Sequence, residues 1–200
     1  MANFFKSTWF KCVAALLCII LFSGVSISVL SDVLYVSPEE RTNRALTKIY
    51  GQAPDTYYKE LDIDEGHTAI AYDFGQIEKI FFVNKDGETD TEYDVLFKTT
   101  GLEGYKGGTV SMWIKVTVNG QDRDINKVII DGNTKQTLMS KLGDAFLGGF
   151  YLDISDNYDT YFTAKTKDEG NKNPVSGATM SAMAGCNAVN CVIEYMKGVI

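Results

Sequence analysis

Pro174-Val175-Ser176-Gly177-Ala178-Thr179-Met180-Ser181 is an uncharged run in which Gly177 and Ala178 leave gaps in side-chain bulk and Ser176, Thr179 and Ser181 supply hydroxyls. Small residues let a bulky group approach the backbone. The polar run Asp168-Glu169-Gly170-Asn171-Lys172-Asn173 before it reads as a loop. After it, Met180, Met183, Ala184, Asn187, Val192, Tyr195 and Met196 fall on one helical stripe. A hydroxyl-rich turn therefore opens the last helix, a place where backbone N–H groups and the helix dipole favour a phosphate. The same residues suit a plain N-cap, with Ser176 or Thr179 satisfying the first amides and Gly177 permitting the turn.

Upstream of that helix the pattern changes to period two. Residues 68–74, 77–84 and 91–99 read as strands of an antiparallel meander, with Lys85-Asp86-Gly87-Glu88 turning between the second and third. Gly101-Leu102-Glu103-Gly104-Tyr105-Lys106-Gly107-Gly108 holds four glycines in eight positions, which marks backbone that bends or lies close to something bulky. Strands over 109–118 and 124–131 flank Asn119-Gly120, a strong hairpin signal. Residues 137–147 have helical spacing, ended by Gly148-Gly149, and 150–163 read as one strand or a strand-like loop. The expected fold is α+β: a mainly antiparallel twisted sheet with helices packed on one side.

Residues 12–31 are uncharged and rich in Val, Leu, Ile, Phe and Ala. At helical rise they span about 30 Å, the thickness of a hydrocarbon core. Lys6 and Lys11 lie before this segment, whereas Asp32, Glu39 and Glu40 follow it. The bias puts the N-terminus in the cytoplasm and the domain on the outer face of the cytoplasmic membrane. A cleaved signal peptide is the competing reading, because the most apolar part, 12–22, is short and small residues follow. Ser37-Pro38-Glu39-Glu40 is a capping box for a linker helix over 38–50, and 52–67 are polar and turn-rich. The expected organisation is a cytoplasmic tail over 1–11, a transmembrane helix over 12–31, a linker helix and loop over 32–67, and one domain over 68–200.

A net charge of −7 argues against a nucleic-acid surface. His67 is the single histidine, the four cysteines have no zinc or iron–sulfur spacing, and Asp153, Asp156 and Asp159 lack the glycine and terminal glutamate of a calcium loop. No Ser/His/Asp set or carboxylate pair is visible, so no catalytic residue and no metal ligand is assigned.

Ser176-Gly177-Ala178-Thr179 resembles the Ser-Gly-Ala-Thr motif of the FMN-binding subunits of Rnf-type and Na⁺-pumping NADH:quinone oxidoreductase complexes, and Gly104-Tyr105-Lys106-Gly107 resembles their Gly-Tyr-x-Gly segment. With the N-terminal span, the likeness is greatest to the G subunit of Rnf complexes. The resemblance implies an FMN-binding domain over 68–200 with FMN joined covalently to Thr179 through a phosphoester by a flavin transferase. Ser176, Gly177 and Ala178 then form the turn around the phosphate, and Tyr105, Gly107 and Leu138 border the ring. Where the family has Glu-Thr-Pro-Gly-Leu-Gly, this chain has Thr134-Lys135-Gln136-Thr137-Leu138-Met139, and Asn173 stands where the family commonly has Asp. The implied function is electron transfer within a ferredoxin/NAD oxidoreductase and ion translocase, with the other membrane subunits as partners. Two alternatives stay open: a membrane-anchored scaffold or binding domain that has lost its flavin, and a stand-alone cell-surface flavoprotein shuttle.

Overall fold

The computed structural model describes residues 8–51, 57–61, 63, 69–84, 92–155, 161–163 and 177–198. The chain divides into two units, 1–43 and 44–200. In the first, α1 (Thr8–Leu34) contains the segment Lys11–Ser31, of mean hydropathy 2.6, which is long and apolar enough to cross a membrane. A signal sequence meets the same description. α2 (Pro38–Tyr50) begins as expected: Ser37 Oγ accepts the Glu40 N–H at 3.1 Å, with Pro38 in the first turn.

Among the described residues of the second unit, seven strands form one antiparallel sheet: β1 (Tyr57–Glu60), β2 (Ile70–Tyr72), β3 (Gly75–Asn84), β4 (Glu92–Gly101), β5 (Val110–Asn119), β6 (Asp122–Asn133) and β7 (Leu152–Asp153). The path is β1-β3-β4-β5-β6-β7, with β2 also paired to β3. The β5–β6 turn is Gly120-Gln121, closed by the Asn119–Asp122 pair, with Gly120 at φ +61. Glycine at positive φ in the first central position is the type II′ pattern, whose twist matches that of the strands.

Three bulges keep the apolar residues on the correct faces. A strand's side chains alternate, so Ile77 and Ile80, or Ile125 and Val128, would point opposite ways in regular strands. Register shifts at 77–79 in β3, and on β6 opposite Lys115/Val116 and Ser111/Met112, each insert one residue and restore parity. Ile77, Ile80, Ile125 and Val128 therefore share one face with Val95, Phe97, Met112, Ile114 and Val116. That face is covered by α4 (Thr179–Gly198), which lies across β3, β4 and β5. The other face receives the second half of α2, where Ala45 and Leu46 pack on Phe81, Leu96 and Trp113. The sheet is thus filled on both sides, by α4 on one and the shorter α2 on the other.

Four element readings need correction. Residues 52–67, expected to be turns, contribute β1, whose Tyr57–Glu60 pair with 81–84. The helix expected over 137–147 is two short pieces, a 3-10 turn at Met139–Lys141 and α3 (Asp144–Gly148), because Gly143 between them is extended at φ −85, ψ −170. Among the described residues of the 150–163 segment, only Leu152–Asp153 pair as strand, against 124–125. Helices lie on both faces of the sheet, not on one. His67 and the turn at 85–88 lie outside the described residues.

Candidate functional site

The glycine-rich stretch after β4, the segment after β6 and the start of α4 meet at one end of the sheet, and Gln136 joins them. Its Oε1 accepts the Tyr105 N–H at 3.1 Å and the Ser181 hydroxyl at 2.7 Å. Its Nε2 donates to the Thr134 carbonyl at 2.9 Å and the Tyr105 carbonyl at 3.5 Å. Thr109 and Thr134 close the base: each backbone N–H donates, at 3.0 Å, to the Thr134 hydroxyl or the Thr109 carbonyl. Gly104 and Gly108 admit this arrangement, since a Cβ on either would collide with Gln136 Nε2. Ser181 is buried, so its hydroxyl needs the partner that Gln136 provides.

The strained backbone is concentrated here. Among the described residues the non-glycine positions with positive φ are Glu103 at 64°, Lys106 at 53° and Lys135 at 55°, all in these two loops. Such conformations are held only where surrounding contacts over-determine them.

Of the expected site residues, Thr179 is the exposed first residue of α4, Gly177 takes φ +76, and Ala178 is buried. The position before the helix is therefore Ala178, whose carbonyl accepts the Ala182 N–H at 2.9 Å, and not a hydroxyl residue. Ser176 lies outside the described residues. Tyr105 and Leu138 are exposed on the rim, whereas a Cβ at Gly107 would meet open space. Lys141 Nζ lies beside Gly177, 2.9 Å from where a Cβ would sit. No group of three or more His, Cys, Asp or Glu is placed to hold a metal among the described residues.

Two further polar constellations escaped the sequence reading. Asp94, on the α2 face, accepts from Tyr50 at 3.0 Å, Lys115 at 3.1 Å and Thr117 at 2.6 Å. Burial, followed by the Asp94 charge and hydrogen bond, pushes the Tyr50 phenol well above its ordinary range. On α4, buried Asn190 holds both backbone groups of Phe162: Oδ1 accepts its N–H at 2.8 Å and Nδ2 donates to its carbonyl at 3.0 Å. Tyr161 beside it donates to Glu194 and accepts from Lys197 at 3.1 Å. The one sequence signal for the Asn190 clamp is an asparagine in an otherwise apolar stretch of helix.

The fold and this end of the sheet define an α+β domain whose loops are joined around the start of a buried helix. Compared with known proteins, the chain is similar to the F7-2 fimbrial protein of Escherichia coli, 26% identical over 185 aligned residues that cover 84% of this chain and 96% of the relative. The F7-2 fimbrial protein of Escherichia coli O6:H1 (strain CFT073) gives the same figures. No protein-family profile matches the chain, and no solved structure matches it.

This similarity, spanning most of both chains, overturns the expected kinship with the Rnf FMN-binding subunits. With it fall the electron-transfer function, the role as an oxidoreductase and ion-translocase subunit, and the Rnf subunits and flavin transferase as partners. Two of the residues behind that resemblance have a packing account: Ala178 is buried where α4 enters the core, and Gly104 is small because Gln136 fills the space.

Proposed function

We propose that this chain is a structural domain of the cell surface, acting by packing and association and not by turnover. The similarity to the F7-2 fimbrial protein over most of both chains carries this reading. The apolar N-terminal helix supports export, either as an anchor with the N-terminus in the cytoplasm and 44–200 on the outer face, or as a signal sequence. The doubly covered sheet supports a rigid domain role. Protease treatment of intact native cells tests it. Cleavage of residues 44–200 without lysis, with recovery of the chain in the surface-assembly fraction, is the expected result. Full protection until lysis would sink it.

A further inference from the structure

The end of the sheet where β5 begins combines exposed apolar side chains with charges of both signs. Leu102, Tyr105, Leu138 and Met180 are 38%, 42%, 38% and 50% exposed. Lys106, Lys135 and Lys141 stand exposed around them, and so do Asp73, Glu103 and Asp144, so the rim carries three charges of each sign. Lys106 caps the Tyr105 ring at 5.3 Å, and Glu103 accepts from Asn187 Nδ2 at 3.4 Å. The positive φ at Glu103, Lys106 and Lys135 fixes these loops in one preformed shape. Apolar side chains grouped inside a polar rim mark a surface that meets something else.

The chain itself brings a bilayer within reach of this rim. The segment Lys11–Ser31 is long and apolar enough to cross one. α1 ends at Leu34 and α2 starts at Pro38, so three residues separate the helices, and they span at most about 11 Å. α2 is about 20 Å long, and from Ala45 onward it is packed on the sheet. Tyr50 bonds Asp94, near the start of β4. Ala45 and Leu46 pack instead on Phe81, Leu96 and Trp113, which lie nearer the row Gly75–Gly101–Val110 that closes the rim end. Followed back from Tyr50, the helix therefore advances toward the end of the sheet that bears the rim. A short tether holds a surface at millimolar effective concentration, so a weak contact is enough to be occupied.

We infer that the rim of Leu102, Tyr105, Leu138 and Met180 rests on the outer headgroup layer of the bilayer crossed by residues 12–31, and that the lipids it meets are zwitterionic. This rests on the reading of the chain as a surface domain, in its anchored form. Tyrosine is enriched at the boundary between hydrocarbon and headgroups, and lysine lays its stem on apolar surface with the ammonium in water. A zwitterionic headgroup offers a phosphate to the lysines and an ammonium to the carboxylates. An anionic surface would attract three of these side chains and repel the other three, so charge alone gives it no advantage. The contact is therefore driven by apolar burial and is insensitive to salt. Seated this way, the domain holds its β5–β6 hairpin away from the membrane, about 30 Å along the ten residues of β5.

Full-length protein in phosphatidylcholine vesicles is irradiated with a lipid bearing a diazirine high in its acyl chain. The diazirine loses N2, and the carbene inserts into a C–H or O–H bond that touches it. Labelled peptides are then read by mass spectrometry. The expected result is label at residues 12–31 and at Leu102, Tyr105, Leu138 and Met180, with none at the hairpin residues 119–122. High salt and added anionic lipid should leave it unchanged. Tyr105→Ser/Leu138→Ser/Met180→Ser should cut the rim label by about tenfold or more, since three apolar side chains leave the contact, while label at 12–31 persists. Tyr105→Phe/Leu138→Met keeps the rim apolar and should retain the label. Label confined to 12–31, label spread equally to the hairpin, or label that needs anionic lipid or vanishes in salt would overturn the contact. So would an intact mass lacking 12–31, which removes the tether. Surface cleavage of native cells with an unlabelled rim would overturn the contact and leave the surface reading intact. A labelled rim in a protein protected until lysis would do the reverse.

Discussion

At Gly101 the last residue of β4 lies against the backbone of α4, and a Cβ there would fall on the Ala184 carbonyl oxygen and the Ala188 nitrogen. Neither can rotate away as a side chain would, so the helix itself must shift. Gly101→Ala should therefore cost about 3 kcal/mol, the upper part of the range for overpacking, read from urea unfolding. A loss below about 0.5 kcal/mol would contradict the close approach. Gly107→Ala meets open space at φ +68, so only backbone strain remains, about 1 kcal/mol. Asp94 should behave as the centre of a network. Asp94→Ala leaves Tyr50, Lys115 and Thr117 without their acceptor and should cost about 3 kcal/mol. In a Lys115→Met background the cost should shrink, and strict additivity in that cycle would mean the pair is uncoupled. The buried thiols give an alkaline signature. Burial pushes Cys186 and Cys191 up to about 12, from 9.0. Their contribution is fully present below the unfolded value and lost as pH rises from 9 towards 12, about 1.4 kcal/mol per pH unit per thiol. Wild type should thus lose stability between pH 9 and 11 faster than Cys186→Ala/Cys191→Ala, and parallel curves would refute the burial argument.

At the scale of elements, the Asn190 clamp on Phe162 replaces what a neighbouring strand would supply, one donor and one acceptor for a buried backbone. Asn190→Leu orphans both groups and should cost about 2–4 kcal/mol, with faster proteolysis near 161–163 while the sheet amides stay protected from exchange. Uniform loss of protection would mean the clamp belongs to the global fold alone. Glu194 on the same helix is held below the usual carboxylate range by the Tyr161 hydroxyl, so this tie is present at neutral pH and is lost as pH falls through that lowered value. The long elements were legible in the sequence because their periods are strong: the strands from 77 to 131, the capped helix at 38–50 and the final helix. What was hidden depended on distant partners. Tyr57–Glu60 is a short polar edge recognised only by its pairing with β3. The bulges that return Ile80 and Val128 to the α4 face break the alternation that would reveal them. At the candidate site, Gln136 could not be singled out, because its partners Tyr105, Thr134 and Ser181 lie in three segments, the farthest 45 residues from it. The small-residue turn before α4 was the misleading signal, since tight packing and a cofactor both ask for Gly and Ala.

For the whole molecule, the N-terminal helix makes a measurable distinction. A retained anchor predicts that the chain stays in the membrane pellet after carbonate washing and keeps residues 12–31 in its intact mass. A signal sequence predicts a shorter, extractable protein, and N-terminal sequencing separates the two. The placement of α2 bears on how such a protein withstands being pulled. The helix runs unbroken from Pro38 to Tyr50, and its second half grips Phe81, Leu96 and Trp113, one residue on each of three inner strands. Tension arriving along the chain from its N-terminal side therefore reaches the sheet first through a helix packed on its inner strands, before the edge strand β1 that follows it in the chain. A domain attached this way should hold against stretching from its N-terminus until the α2 contacts give, and Leu46→Ala should lower the force at which it opens.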